Sequence, residues 1–309
     1  MTTIVAYQPG VTGLEALRLG AFFARSTNSR LLVTMVMEAP SAPSVARVDF
    51  QYTSLLRQQL VAELDEAKRD APTDVEVDFR IHDARSVPGG LVELAEHESA
   101  DVIVVGNASR GVLGRVSLGG VTNHLVHSSP VPIALAPRGF RTQQQDRVTR
   151  VSAAYGGVAG KSGLVLAAAG LCTEMSAELR LTSFSLQPRS LTTDLIAQDE
   201  LRARVTADVR DSAVEALGEV RALPNAPKIG ETVVGFGEDW ADAIEHVGWD
   251  DGDVLVVGSS DMGAGRRVFL GSTGMRIVHE SPVPVVVVPG GAVQTLVDRA
   301  EEQRAGAGR

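Results

Sequence analysis

SPVPIALAP, Ser129 to Pro137, and SPVPVVVVP, Ser281 to Pro289, are one motif written twice at an offset of 152 residues. DVIVVG, Asp101 to Gly106, returns as DVLVVG, Asp253 to Gly258, at the same offset, and Leu118 and Gly119 return as Leu270 and Gly271. Nearer the N-terminus the offset is 148: Ala6 and Tyr7 match Ala154 and Tyr155, and Thr34 and Pro40 match Thr182 and Pro188. The drift marks a few inserted residues in the second copy, some of them around Gly248 to Gly252. The chain is therefore a tandem duplication. Its 309 residues give each copy enough length to bury a core of its own.

Composition separates the copies. RGFRTQQQDRVTR, between Pro137 and Val151, carries four arginines against one aspartate and has no hydrophobic period, as a linker does. The expected organisation is a first domain over 1–138, a linker over 139–150, a second domain over 151–290 and a tail over 291–309, with AEEQRAGAGR from Ala300 expected to fray.

Within each copy strand-like and helix-like runs alternate. In the first, TTIVAY reads as a strand, and Thr12 with Glu15 suggests a capping box opening a helix with Leu14, Leu17 and Ala21 on one face. RLLVTMVM is a buried strand, and Phe50 to Lys68 an amphipathic helix striped with Leu56, Leu60 and Leu64. VEVDFRI alternates, Pro88 suits a helix start, DVIVVG is a second buried strand, and GGVTNHLVHSS is a short helix stopped by Pro130. The second copy repeats the scheme with VSAAY, ELRLTSFS, KIGETVVG, DVLVVG and PVPVVVVP as strands. Five strands separated by helices demand parallel crossovers, so each copy is expected to be a five-stranded, doubly wound α/β domain. The last strand is apolar at nearly every position, and left bare at a sheet edge it would template aggregation. Pairing the two last strands removes the hazard and predicts a pseudo-twofold dimer within one chain.

The net charge of −9 and the pI of about 5.2 argue against a protein that holds nucleic acid by counterion release. No apolar run approaches the roughly 18 residues that cross a bilayer, and the first residues lack the features of a signal peptide, so a cytoplasmic location is expected. Cys172, the single cysteine, sits in an alanine-rich run as a small buried core thiol.

In a doubly wound sheet the ligand crevice opens at the carboxyl ends of the strands, where the winding reverses. That places Tyr7 to Gly10 opposite the loop Gly106 to Gly120, and Tyr155 to Gly157 opposite the loop Gly258 to Ser272. Each loop runs into a short helix whose free N–H groups and positive dipole end suit a phosphate.

A strand ending in VVG, a thirteen-residue step to a further Gly, a helix ending at Ser-Pro and a PVPVVVV strand together resemble the tandem form of the universal stress protein family, over nearly the whole chain. The resemblance implies the Rossmann-like fold shared with adenine nucleotide alpha hydrolases. It also implies a stress-response module that binds ATP or AMP, with Mg, through G-x2-G-x9-G-[ST] and an Asp after the first strand. Gly106 and Gly258 match the first glycine of that pattern, and Gly119 and Gly271 the third. Gly120 and Ser272, with Thr273 beyond it, follow the third. Ser109 and Asp261 stand at the second glycine, and Gln8 and Gly156 where the Asp would fall. A carboxylate about 4 Å from one phosphate charge costs about 4 kcal/mol at an effective dielectric near 20, so Asp261 opposes phosphate in the second copy unless Arg266 or Arg267 neutralises it. In the first copy Arg110 and Arg115 would assist, and Ala6, Tyr7, Gln8 and Val36 would face the base.

Other signals carry less. GGVAGKS, Gly156 to Ser162, has three residues between its glycines where a P-loop needs four. His124 and His127 lack a third metal ligand nearby, and His127 and His279 suit the carbonyl ends of their helices, as do His97 and His246. Trp240 and Trp249 read as packing residues. Neither a nucleophile elbow nor a triad is visible. The expected function is a non-catalytic regulatory module that binds nucleotide in one or both copies, has no membrane span and no nucleic-acid partner, and forms an internal pseudo-dimer, with a homodimer also open; a ligand-free scaffold and a weak ATP hydrolase are the alternatives.

Overall fold

The computed structural model describes residues 2–38, 47–107, 113–156, 162–187, 195–261, 268–293, 295, 296 and 298. In the first half the chain runs β1 (Thr2–Ala6), α1 (Val11–Thr27), β2 (Arg30–Glu38), α2 (Arg47–Ala67), β3 (Val77–Ala84), α3 (Val87–His97), β4 (Val102–Val105), α4 (Gly120–Ser128) and β5 (Ile133–Leu135). The second half repeats it as β6 (Arg150–Ala154), α5 (Gly163–Met175), β7 (Glu178–Leu186), α6 (Leu195–Ala222), β8 (Ile229–Gly237), α7 (Trp240–Glu245), β9 (Asp253–Gly258), α8 (Ser272–Glu280) and β12 (Val285–Val288). Among its described residues the second half also carries a small antiparallel pair, β10 (Ser260–Asp261) and β11 (Val268–Phe269), between β9 and α8.

The strands form one ten-stranded sheet in the order β3-β2-β1-β4-β5-β12-β9-β6-β7-β8. Each half is parallel, and the order of the second is the mirror of the first, as two copies related by a twofold require. The halves meet where β5 runs antiparallel to β12, with Ala134 opposite Val286. Those two residues are repeat equivalents at the offset of 152, so the pseudo-twofold axis passes between them. The apolar edge of each copy is covered by that of the other.

Alternation along the strands feeds a core on each face. Val5, Val33, Val104, Ala134, Val256 and Val286 meet α1, α2, α5 and α6 on one side. Ile4, Leu32, Ile103, Leu135, Leu255 and Val287 meet α3, α4, α7 and α8 on the other. Both cores run across the domain boundary, and the Leu56, Leu60 and Leu64 stripe turns inward, with Leu64 the most buried of the three. Cys172 is fully buried in α5, and burial pushes its thiol far above the usual range, which makes it a packing residue.

Local chemistry explains the helix ends. The Ser86 side chain accepts from Gly89 N at 3.2 Å to cap α3, and the second copy does the same with Asp239 and Asp242 N at 2.9 Å on α7. Asn28 and Ser176, equivalents at the offset of 148, close α1 and α5 in the left-handed conformation, φ 53° and 55°. The capping box expected from Thr12 and Glu15 is not formed. Gly10 is the N-cap, at φ 98°, a conformation that favours glycine, so Thr12 already lies within the helix. Glu15 is buried and accepts from Gly139 N at 2.6 Å instead.

That contact belongs to a connector tied down along its length. Phe140 packs edge-on against Phe22 with ring centroids 5.9 Å apart, and buried Val148 donates its N–H to Ser26 Oγ at 2.8 Å. Past β12 the chain stays packed: Leu296 is buried against α5, where a Cβ at Gly170 would meet Leu296 O at 2.8 Å. The residues from Ala300 onward lie outside the described residues.

Candidate functional site

A crevice of about 340 Å³ opens at the carboxyl ends of β1, β2 and β4. α2 and α4 flank it from opposite faces of the sheet. Its floor is Ala6, Thr34, Met35, Val36 and Val105, and its walls include Tyr7, Gln8, Thr12, Leu60, Glu63, Val87, Leu91, Asn107, Val121 and Thr122. This is the switch point between β1 and β4, and the volume lies in the range of small-ligand pockets.

Gly106 is demanded by the backbone, since a Cβ there would come within 2.0 Å of Thr12 O. The same crowding at Gly13, 1.9 Å from Gln8 O, lets α1 start directly over the end of β1. Gly119 caps α4 from extended backbone, and Gly120 has open space where a side chain would stand. Among the described residues nothing crowds that position, and the first amides of α4 carry the positive end of the helix dipole.

Thr34 and Tyr7 are among the polar residues of the lining. Thr34 is buried, and its Oγ1 has no partner among the described residues. Tyr7 has its phenol pushed up by burial and then by the carboxylates of Asp70, Glu66 and Glu63, so it stays protonated and able to donate at neutral pH. Asn107 fixes the wall. Its Nδ2 donates to Arg115 O at 2.5 Å, and its Oδ1 accepts from Ser117 N at 2.5 Å, pinning the returning loop to the end of β4.

Of the residues expected from the sequence, Ala6, Tyr7, Gln8, Val36 and Gly106 line this crevice, and Gly119 and Gly120 open the helix beside it. Ser109 and Arg110 lie outside the described residues. Arg115 departs from expectation: its Nη1 donates to the main-chain carbonyl of Glu280, at the end of α8 in the other domain, so it serves the domain interface. Thr34, Asn107, Glu63, Val87, Val121 and Thr122 were not anticipated as site residues. A polar residue directly after an apolar strand, as at Asn107, is the one signal that points to any of them.

In the second domain Gly156, Gly258, Gly271, Ser272 and Thr273 occupy the matching positions around a differently filled space. β1 and β2 pair Ala6 with Thr34, and β6 and β7 pair Ala154 with Thr182, so Val36 corresponds to Phe184. The matched caps of α3 and α7 make Val87 correspond to Trp240. Phe184 and Trp240 pack together with ring centroids 6.4 Å apart. Tyr155, the counterpart of Tyr7, is buried and donates its hydroxyl to Ser212 O in α6 at 2.7 Å. Asp261 is paired with Val268 in the β10–β11 hairpin; its side chain, with Arg266 and Arg267, is outside the described residues.

Fold and site together define a tandem, doubly wound α/β protein with a strand-end crevice in its first domain. The family model described as the universal stress protein family matches residues 1–137 and 149–289, and the chain belongs to that family. Universal stress proteins of Mycobacterium tuberculosis and Mycobacterium bovis are 34% identical to it over 297 residues, covering 94% of this chain and the whole of each relative. A putative universal stress protein of Pseudomonas aeruginosa has a similar fold, with TM-score 0.54, 16% identity and 97% of both chains covered. One from Archaeoglobus fulgidus gives TM-score 0.56 at 16% identity over 94% of this chain and 98% of its own. Among the described residues no helix is long and apolar enough to cross a membrane, and no three His, Cys, Asp or Glu side chains form a metal-binding group.

Proposed function

We propose that the chain is a non-catalytic stress-response module that takes one adenine nucleotide, ATP or AMP, in the first-domain crevice and none in the second. The observation that supports this reading is a crevice of about 340 Å³ at the β1–β4 switch point, lined by Tyr7, Thr34 and Asn107 and lying beside the N-terminus of α4. The Thr34 hydroxyl, buried and without a partner among the described residues, carries a desolvation cost that a ligand polar atom reaching it would relieve. Ala6, Val36, Val87 and Leu91 offer an apolar slot for a base, Tyr7 and Thr34 offer hydrogen bonds, and the first amides of α4 would hold phosphate. A bound Mg would supply charge neutralisation for the phosphates.

The non-catalytic reading rests on the lining. Among the described residues it holds a single carboxylate, Glu63, and no histidine, so it offers no pair of groups to activate and orient a water. The two functional units are taken as 1–138 and 151–290, joined by 139–150.

Isothermal titration of the full chain with ATP, ADP and AMP, each with and without magnesium, tests the proposal. The expected result is saturable binding at one site per chain without phosphate release. Absence of heat and of any thermal shift at millimolar nucleotide leaves the ligand-free scaffold in its place.

A further inference from the structure

We infer that the second domain holds the first-domain crevice in shape through Arg115, which acts with His279 as a positioning residue across the domain boundary. The inference rests on the proposed nucleotide site and adds a regulatory contact to it.

The segment from Arg115 to Ser117, which the crevice-lining Asn107 holds through its side chain, is gripped from two directions. From its own domain, Asn107 holds Arg115 O and Ser117 N, while Gly114 N donates to Arg138 O at 2.8 Å and Arg138 N to Arg115 O at 3.0 Å. From the other domain, Arg115 Nη1 donates to Glu280 O, and the Glu280 carboxylate lies 3.9 Å from Arg115 Nε. His279 Nδ1 stands 3.2 Å from Val116 O. A carbonyl only accepts, so that contact puts the proton on His279 Nδ1.

The partners are separated by 165 and 163 residues in sequence, yet one chain of bonds links them to the crevice. Asn107 lines the crevice, its side chain holds the backbone of that segment, and the side chain of Arg115 ends on the last turn of α8. Arg115 satisfies a carbonyl that the helix leaves open, with a full positive charge at the negative end of the α8 dipole. Charge-assisted bonds of this kind are stronger than neutral ones, and at 24% exposure the Arg115 side chain is partly shielded from solvent. Losing the contact loosens the segment that anchors Asn107 in the crevice lining, and by linkage a ligand that fixes Asn107 tightens the end of α8.

Hydrogen exchange on the full chain, with and without AMP, tests this, using Arg115→Met, Arg115→Lys, His279→Ala and His279→Asn. Without ligand, Arg115→Met is expected to speed exchange of the Gly114 and Ser117 amides and of the last turn of α8 about tenfold, with β1 and β2 unchanged. AMP affinity is expected to fall by about the same factor. Arg115→Lys and His279→Asn, which keep a donor, should restore most of both, whereas a merely structural loss would lower thermal stability without rescue. In the unmutated chain AMP should slow exchange at the end of α8. Unchanged exchange in Arg115→Met overturns the inference, as does faster exchange with unchanged AMP affinity. If the unmutated chain binds no AMP while Arg115→Met still loosens both segments, the brace stands and the nucleotide reading falls.

Discussion

Val36 and Val87 line a crevice in the first domain, and at the same places in the second stand Phe184 and Trp240, whose rings pack together. The contrast extends to the tyrosines: Tyr7 lines the open space, while Tyr155 is pinned to α6 through its hydroxyl. The far ends of the strands differ in the opposite sense. Where β2 carries fully buried Leu32, β7 carries Arg180, with a side chain 1% exposed. Arg180 donates to Ser152 Oγ and Gly248 O, each at 2.8 Å, stands 3.3 Å from Asp253 and lies over the Trp249 ring at 4.8 Å. Burial pulls its guanidinium below the usual arginine range, opposed mainly by Asp253, whereas Arg150 is raised by its hydrogen bond to the same carboxylate. Duplication thus produced two copies of one frame, one with a ligand-sized crevice lined by aliphatic side chains and the other with an aromatic pair at the same places and a buried ion cluster.

The comparison breaks most severely at Asp253. Replacing it with Ala strands Arg180 as a buried charge and is expected to cost about 3–5 kcal/mol in denaturant unfolding. Asp101→Ala, at the equivalent place in the first domain, where the carboxylate accepts from Thr2 N at 2.7 Å, is expected to cost about 1 kcal/mol. Equal losses would show that the two ends are energetically alike.

Transplanting the second crevice into the first sharpens the contrast. The pair Val36→Phe and Val87→Trp should reduce AMP affinity about 100-fold or more by calorimetry, equivalent to about 3 kcal/mol, with the fold retained by circular dichroism. Retained affinity would place the ligand elsewhere. At a single hydroxyl, Thr34→Val should lower AMP affinity about tenfold while leaving the free protein equally or more stable, because a buried unpaired group is removed. Thr182 has an equally unpartnered buried hydroxyl in the second domain, and Thr182→Val should leave AMP affinity unchanged.

The smallest effect lies at Glu98, which receives hydrogen bonds from Arg80 at 2.5 Å and from Arg30 and is held at about 2 by them, the Arg80 bond first, well below the usual glutamate value. Because the folded value is depressed, its stabilisation is complete above the ordinary value of 4.5 and is lost as pH falls from there toward about 2. Glu98→Gln should cost about 1 kcal/mol at pH 7 and lose that difference at the acid end of a pH series of melting curves. A difference constant with pH would remove the ionic explanation.

Much of this was legible before any coordinates. Repeated motifs, apolar runs bounded by Pro and Gly, and Pro88 beside a Ser cap mark the strands and helices, because those signals act between residues close in sequence. The same locality misled at Thr12 and Glu15, where a spacing that suits a capping box lost to Gly10 at the N-cap and to a hydrogen bond between Glu15 and Gly139. Thr34 gave no site signal, since a threonine inside a β-branched strand looks like any other.

The sequence by itself determined that the chain is built twice, that each copy is wound α/β, and that the last strands need each other, since repetition and hydrophobic period are properties of order along the chain. Tertiary structure alone decided which side chains line the first-domain crevice, where Arg115 spends its charge and which carboxylate neutralises Arg180. Those outcomes depend on side chains tens to more than a hundred residues apart meeting at the ends of a common sheet, and only the closed topology sets those distances.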